Sequence, residues 1–272
     1  MGSARSLRTE LIACAQAYAE AANLPYCLSY GENPTVCFAP GAGQHGNFEP
    51  RSYRAILANA PWRKRLEKVH THGRRCLPQL DRGRWRELDT CSSSDALLMN
   101  IFCYPGVLRQ EPVRALLGLE DRAARPVFGY KPRVPLASGK VDRTEVDLRL
   151  GSLLAEAKLT ESDFQSVRKP VMSGYRDFLQ VFDSEELPQT ACDFLSYQLL
   201  RSVLAAYASA SSFCLLTDSR RPDLIAAWYA VIRCVKPVEV RTACKVLTWQ
   251  ELAGALPKTL RSFLAEKYGI QT

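Results

Sequence analysis

Hydrophobic and polar positions follow two different periods along this chain, and each change of period marks a change of element. Between residues 7 and 23, Leu7, Leu11, Cys14, Ala15, Tyr18 and Ala22 recur at helical spacing, which predicts one helix packed through one face. Periodicity then lapses, and from Leu24 to Pro50 the density of Gly, Pro, Asn and Ser reads as loop. A helix is expected over 92–104, capped by Ser92, Ser93 or Ser94, with Leu97, Leu98, Ile101 and Phe102 facing the core and Pro105-Gly106 ending it. Val127 to Lys131 reads as extended. From Thr144 to Leu159 the period is two, interrupted by Gly151-Ser152, which predicts a β-hairpin whose first arm can pair with the Val127 segment. Cys192 to Ala210 reads as a helix with Leu195, Leu199, Val203 and Ala206 on one side, and Ser212 to Asp218 as a buried strand. Pro222 opens an apolar helix to Cys234, Val238 to Val246 reads as one or two strands, and short helices follow from Trp249. The order helix, strand, hairpin, helix, strand, helix gives an α/β core with a central mixed β-sheet flanked by helices. Texture changes near residue 90, so the expected division is a mainly helical and loop-rich region over 1–90 and the core over 91–272.

The hairpin carries the candidate chemistry. Side chains alternate faces along a strand, so Glu145 and Asp147 share one face while Val146, Leu148 and Leu150 take the other. On the second arm, Leu154, Glu156 and Lys158 lie on one face and Leu153, Ala155, Ala157 and Leu159 on the other. Asp147 and Glu156, brought together across the hairpin, repel unless a cation or a proton sits between them, and hard oxygen ligands suit Mg²⁺ or Mn²⁺. Lys158 beside such an ion can orient or deprotonate an attacking water and offset charge developing on phosphorus. The plain alternative is a solubilising cross-strand charge pair worth a few tenths of a kcal/mol.

Asp147, eight intervening residues, then Glu156-Ala157-Lys158 resembles the signature of the PD-(D/E)xK nuclease superfamily, which includes restriction-endonuclease-like enzymes. More narrowly, Ser92 to Phe102, Glu156 to Glu161 and Tyr197-Gln198-Leu199-Leu200-Arg201 together resemble a bacterial restriction-endonuclease-like family, over roughly residues 90 to 250. The resemblance implies a restriction-endonuclease-like core, a metal held by Asp147, Glu156 and the carbonyl of Ala157, and Lys158 positioning the water. Glu145, Asp95, Gln198 and Arg201 are expected as supporting residues. Two departures stand out: Val146 replaces the Pro of the Pro-Asp pair, and Asp95 stands where many relatives present Glu.

Composition bounds this picture. With 272 residues, 47% of them hydrophobic, the chain can bury a sizeable core and is not a disordered protein. A net charge of +8 favours a polyanionic partner. No apolar run approaches transmembrane length and the first residues carry no signal-peptide core, so a cytoplasmic protein without a membrane anchor is expected. The ten cysteines include no Cys-x-x-Cys pair and read as buried thiols. Cys27 and Cys37 with His70, His72 and Cys76 match no common zinc spacing.

The densest basic run, with Tyr53 and Trp62 interleaved, offers Arg63, Lys64, Arg65, Lys68, Arg74 and Arg75 as phosphate contacts, against the alternative of a solvated helix face. Asp95, in the first turn of its helix, reads first as a partner of the helix dipole. Asn100, amid apolar residues, needs a buried partner and is expected to hold a loop or the hairpin in place. His45 is expected as a hydrogen-bonding tie. Pro40 to Phe48 cannot be a P-loop, because no Gly-Lys-Ser/Thr follows its glycines. The expectation is a Mg²⁺-dependent endonuclease of restriction or defence type acting on double-stranded DNA, with a homodimer as the simplest form for cutting two strands. The alternative is a catalytically silent nucleic-acid-binding or regulatory protein on the same fold.

Overall fold

The computed structural model describes residues 2–29, 34–41, 43–69, 79–80, 83–84 and 86–272. His70, His72, Arg74, Arg75 and Cys76 lie outside them. Among the described residues no helix is long and apolar enough to cross a membrane. The chain forms two compact units, residues 1–114 with 249–272, and residues 115–248. Residue 90, where the sequence changes texture, falls within the first.

In chain order the labelled elements are α1 (Gly2–Ala21), β1 (Tyr26–Leu28), β2 (Val36–Phe38), α2 (Pro50–Ala58), α3 (Ala60–Arg65) and α4 (Ser94–Phe102). They continue with β3 (Pro126–Tyr130), β4 (Val146–Leu150), β5 (Leu153–Ala157), α5 (Tyr197–Ala208), β6 (Ser212–Thr217), α6 (Pro222–Ile232), β7 (Cys244–Thr248), α7 (Trp249–Gly254) and α8 (Lys258–Tyr268).

In the first unit, α1 buries Leu7, Leu11, Ala15 and Ala19 through one face, with α8 against it. Ser93 caps α4, its hydroxyl accepting from the Ala96 amide. Asn100 proves to be a loop anchor: its amide donates to the Asn47 carbonyl at 2.9 Å and its oxygen accepts from the Glu49 amide at 2.7 Å. Glu49 in turn caps α2 through the Ser52 amide. His45 ties the same loop to Asp89 at 3.0 Å. Gly46 is fixed by a close approach, since a Cβ there would lie 2.2 Å from the Phe38 ring.

The second unit is built on a mixed five-stranded sheet in the order β7-β6-β5-β4-β3. β3, β4 and β5 run antiparallel to one another in turn, whereas β6 lies parallel to both β5 and β7. α5 connects β5 to β6, and α6 connects β6 to β7, as parallel pairs require. β5 is covered on both sides, and each of its residues is buried, as are most of β6. Val203, Leu204, Phe213, Leu215, Trp228 and Val231 pack into one core from α5, β6 and α6.

Two segments differ from their sequence pattern. The helix expected from Cys192 begins at Tyr197, because Asp193–Leu195 forms a strand paired with Ser166–Arg168 and Ser196 turns through a left-handed conformation (φ 60°). Leu195 is thereby exposed rather than part of the helix's buried side. The strand expected from Val238 is instead a short helix, Val238–Thr242, entered from Pro237, with β7 starting at Cys244. Local helix-forming backbone after Pro237 overrides the β-branched composition.

Candidate active site

β4 and β5 form the hairpin, joined by a two-residue loop that opens on left-handed Gly151 (φ 58°). Their pairing runs Leu150↔Leu153, Arg149↔Leu154 and Leu148↔Ala155. The next step along that register sets Asp147 opposite Glu156, but here the ladder ends. The Ala157 amide donates to the Asp147 carboxylate, at 2.8 Å, in place of a backbone carbonyl. The side chain therefore satisfies an amide that the parting strands would leave unpaired. On its other edge the chain stays attached, the Lys158 amide donating to the Leu216 carbonyl at 2.8 Å.

Charge is concentrated where the strands part. Glu156 and Lys158 are 3% and 4% exposed, and the ammonium donates to Glu156 Oε1 at 3.0 Å. Burial alone pulls the Lys158 ammonium down, but the carboxylates of Glu156, Glu161 and Asp147 outweigh it and hold the group above the ordinary lysine range. Lys158 is thus held as a cation and a hydrogen-bond donor by these carboxylates. Asp147 is half-buried.

The surrounding residues hold this geometry. Arg201, from α5, is buried and donates from Nη2 to the Glu145 carbonyl at 3.0 Å, which fixes the chain as it enters β4. Its Nε and Nη1, and Oε1 of Gln198, are buried without hydrogen-bond partners among the described residues. Glu161 closes a tight turn after Lys158, accepting from the Leu159 amide at 2.6 Å. Arg221, fully buried, clamps that turn: it donates to the carbonyls of Leu159, Glu161 and Ser162 at 3.4, 2.7 and 3.1 Å and pairs with Asp223 through two nitrogens. Its sequence signal is an Asp-x-Arg-Arg-x-Asp run at the end of a buried strand, meaningful only once β6 is known to lie beside β5.

Asp147, Glu156, Ala157, Lys158, Glu145, Gln198 and Arg201 therefore all belong to one compact unit. Asp95 and the basic run belong to the other. Asp95 is buried there and paired with Arg65 at 2.9 Å and Lys68 at 2.7 Å, and Lys68 also reaches Glu87. Arg63 and Lys64 are exposed on α3.

As a donor set, two carboxylates and a peptide carbonyl offer only oxygen, which fits a hard divalent cation. No group of three or more His, Cys, Asp or Glu suited to a metal occurs among the described residues. A cation on Asp147 and Glu156 would therefore keep several of its own waters, as Mg²⁺ characteristically does.

The family model described as Restriction Endonuclease associating with ARP matches residues 15–269. The chain belongs to this restriction-endonuclease family. No curated protein and no solved structure matches it. Its mixed five-stranded sheet flanked by helices is consistent with a restriction-endonuclease-like fold. The family's name is that of DNA-cleaving hydrolases of defence type, and the match spans both compact units of the restriction-endonuclease-like chain.

Proposed function

We propose that the chain hydrolyses DNA phosphodiester bonds as a Mg²⁺-dependent endonuclease, with Mn²⁺ as a substitute, at a site made by Asp147, Glu156, Ala157 and Lys158. The observation that carries this reading is the opening of the hairpin ladder where Asp147 comes into register with Glu156, with a buried Lys158 ammonium 3.0 Å from Glu156. Asp147, Glu156 and the Ala157 carbonyl would hold the ion, which when bound supplies Lewis acidity and lowers the pKa of a water. Lys158, kept charged by three carboxylates, donates to the attacking water and offsets negative charge growing on the phosphoryl oxygens. Glu161 and Arg221 fix the turn that fixes Lys158, and Arg201 fixes Glu145 at the entry to β4.

Exposed Arg63 and Lys64, in the first unit, are read as phosphate contacts to duplex DNA, and residues 1–90 as the region of DNA engagement. Two such sites, one from each copy in a homodimer, would suit cutting of both strands.

The test is incubation of the purified chain with plasmid and with single-stranded DNA in Mg²⁺, Mn²⁺ or EDTA, alongside Asp147→Ala and Lys158→Ala. Metal-dependent cutting by the wild type, reduced at least about 100-fold in both variants, is expected, the size of loss typical of removing an electrostatic stabiliser. Cutting that survives both substitutions overturns the site. Metal-independent binding without cutting favours a silent nucleic-acid-binding protein.

A further inference from the structure

In the same unit as the hairpin, a cleft of about 690 Å³ opens beside the chain that leads into β4. It is a shallow cleft, open to solvent over much of its extent. Its walls include Leu136, Val141 and Val171, its polar end is formed by Asp142, Tyr175 and Tyr197, and exposed Arg143 stands at its lining.

The hydroxyl directions at the polar end follow from what each group can do. Burial would raise the Asp142 carboxyl, but hydrogen bonds from Thr144 and Tyr175 and the charge of Arg201 prevail and keep it below its ordinary range. As a carboxylate it can only accept, so Tyr175 donates to Oδ2 at 2.7 Å. The Tyr175 proton is then committed, and the 3.0 Å contact between the two phenols must be a bond donated by Tyr197. Tyr197 is left presenting lone pairs and no proton. Asp142, Tyr175 and Tyr197 therefore offer acceptors only at this end, with Ser138 and Arg143 the donors elsewhere on the lining, and this end favours a ligand edge made of donors.

Among the DNA bases, guanine alone carries two adjacent donors, N1–H and the exocyclic N2 amine, on one edge. The pairing edges of adenine and cytosine place a donor next to an acceptor, and thymine flanks its single N–H with two carbonyls. An acceptor placed against the Tyr197 oxygen or the Asp142 carboxylate goes unpaired, and a site built to bond donors rejects such ligands strongly.

Position connects the cleft to the candidate active site. Five residues along the chain lead from Asp142 to Asp147, a span of at most about 18 Å when fully extended. At about 3.4 Å per stacked nucleotide this lies within about five nucleotides of the scissile phosphate. Arg201 joins the two, since it acts electrostatically on Asp142 and donates to the Glu145 carbonyl.

We propose that this cleft binds a guanine base of the nucleic-acid substrate near the cut, with N1–H and N2–H donated to the Tyr197 oxygen and the Asp142 carboxylate and the ring against the Val141 and Val171 side. The inference rests on the nuclease reading only in taking the substrate to be nucleic acid. A guanine can enter from a single strand, or from a duplex after leaving the stack.

The test separates binding from cutting. The full chain in EDTA is titrated with each of the four 5′-deoxynucleoside monophosphates and followed by saturation-transfer NMR. dGMP should bind at least about tenfold more tightly than the other three, the discrimination of one missing hydrogen-bonding partner. Tyr197→Phe should remove that preference, and Val171→Trp, placed on an exposed wall where the fold tolerates it, should abolish binding of dGMP. Equal binding of the four nucleotides, absence of dGMP binding, or a preference that survives both substitutions overturns the proposal. Sequencing of the ends cut from a randomised DNA supplies the second arm, with guanine enriched at a fixed position within about five nucleotides of the cut and lost in Tyr197→Phe. dGMP selectivity without any cutting overturns the nuclease reading alone, and cutting with no guanine preference overturns this proposal alone.

Discussion

Two buried lysines, Lys158 beyond β5 and Lys267 in the last turn of α8, meet opposite surroundings. Both lose their water, which disfavours the charged form. Around Lys158, three carboxylates more than offset the loss, and the ammonium is stabilised. Around Lys267 the neighbours are the rings of Tyr268 and Phe38, 3.8 and 5.6 Å from Nζ, and Nζ has no hydrogen-bond partner among the described residues. Burial there lowers its pKa to about 7. Position at a helix C-terminus and cation–π attraction favour the ammonium, but neither replaces a counter-ion. The contrast shows that the hairpin's charge is not an accident of a buried lysine. It is assembled from acids on two strands and a turn, an arrangement that supports the site proposed there.

The largest effect comes from breaking the compensated pair. Glu156→Gln leaves the Lys158 charge buried with its nearest partner gone, and a loss of about 3–5 kcal/mol is expected from urea unfolding in EDTA. Replacing both residues, as Glu156→Gln with Lys158→Met, should cost less than the sum of the single changes, because no uncompensated charge remains. Additive losses would mean that the pair is not coupled.

At the other lysine the sign reverses. In the unfolded chain Lys267 titrates near its ordinary 10.5, and in the folded chain near 7. Between these values the unfolded state holds the extra proton, so stability rises as pH increases from about 7 to about 10. Below pH 7 both states are protonated and the full cost of burying the charge remains. Lys267→Met should therefore stabilise the protein at pH 6, on the order of 2–4 kcal/mol, and by much less at pH 10. Melting temperatures across this range check it, and a variant as unstable as wild type at pH 6 would show that Lys267 has a partner in solution.

Legibility in the sequence followed the range of the interactions. The hairpin could be read because a strand's faces and a two-residue Gly turn are encoded locally, and the second arm's alternation placed Glu156 and Lys158 together. Pairing of the Val127 segment with the first arm was readable for the same reason. What could not be read was the closing of the ladder by Asp147 on the Ala157 amide, since alternation predicts faces and not where strands part. Arg201 and Arg221 act across about 56 and 60 residues of chain, and nothing local distinguishes such clamps from surface ion pairs. The first unit's recruitment of residues 249–272 is likewise a long-range event, marked by no change in composition. Leu195 misled because its spacing fitted a helix that Ser196, in a left-handed conformation, starts two residues later.

A third lysine gives the smallest and most discriminating test. Lys68 is partly exposed, and its ammonium joins Asp95 and Glu87 at 2.7 and 2.9 Å. Burial lowers its pKa, but these two carboxylates raise it further, so it repeats the logic of Lys158 with solvent taking part of the load. Because Arg65 also pairs with Asp95, Lys68→Met leaves that carboxylate partnered and takes the lysine only from Glu87, and a cost of about 1 kcal/mol is expected. The same substitution tests how the basic run is divided. A cation committed to Asp95 and Glu87 should add little to phosphate binding, so Lys68→Met should leave the salt dependence of DNA affinity nearly unchanged. Replacing exposed Arg63 and Lys64 together by alanine should reduce the slope of log affinity against log salt by about 2, roughly one unit for each phosphate that is no longer neutralised. A slope that falls as much for Lys68→Met would place Lys68 on the phosphates and end its likeness to Lys158.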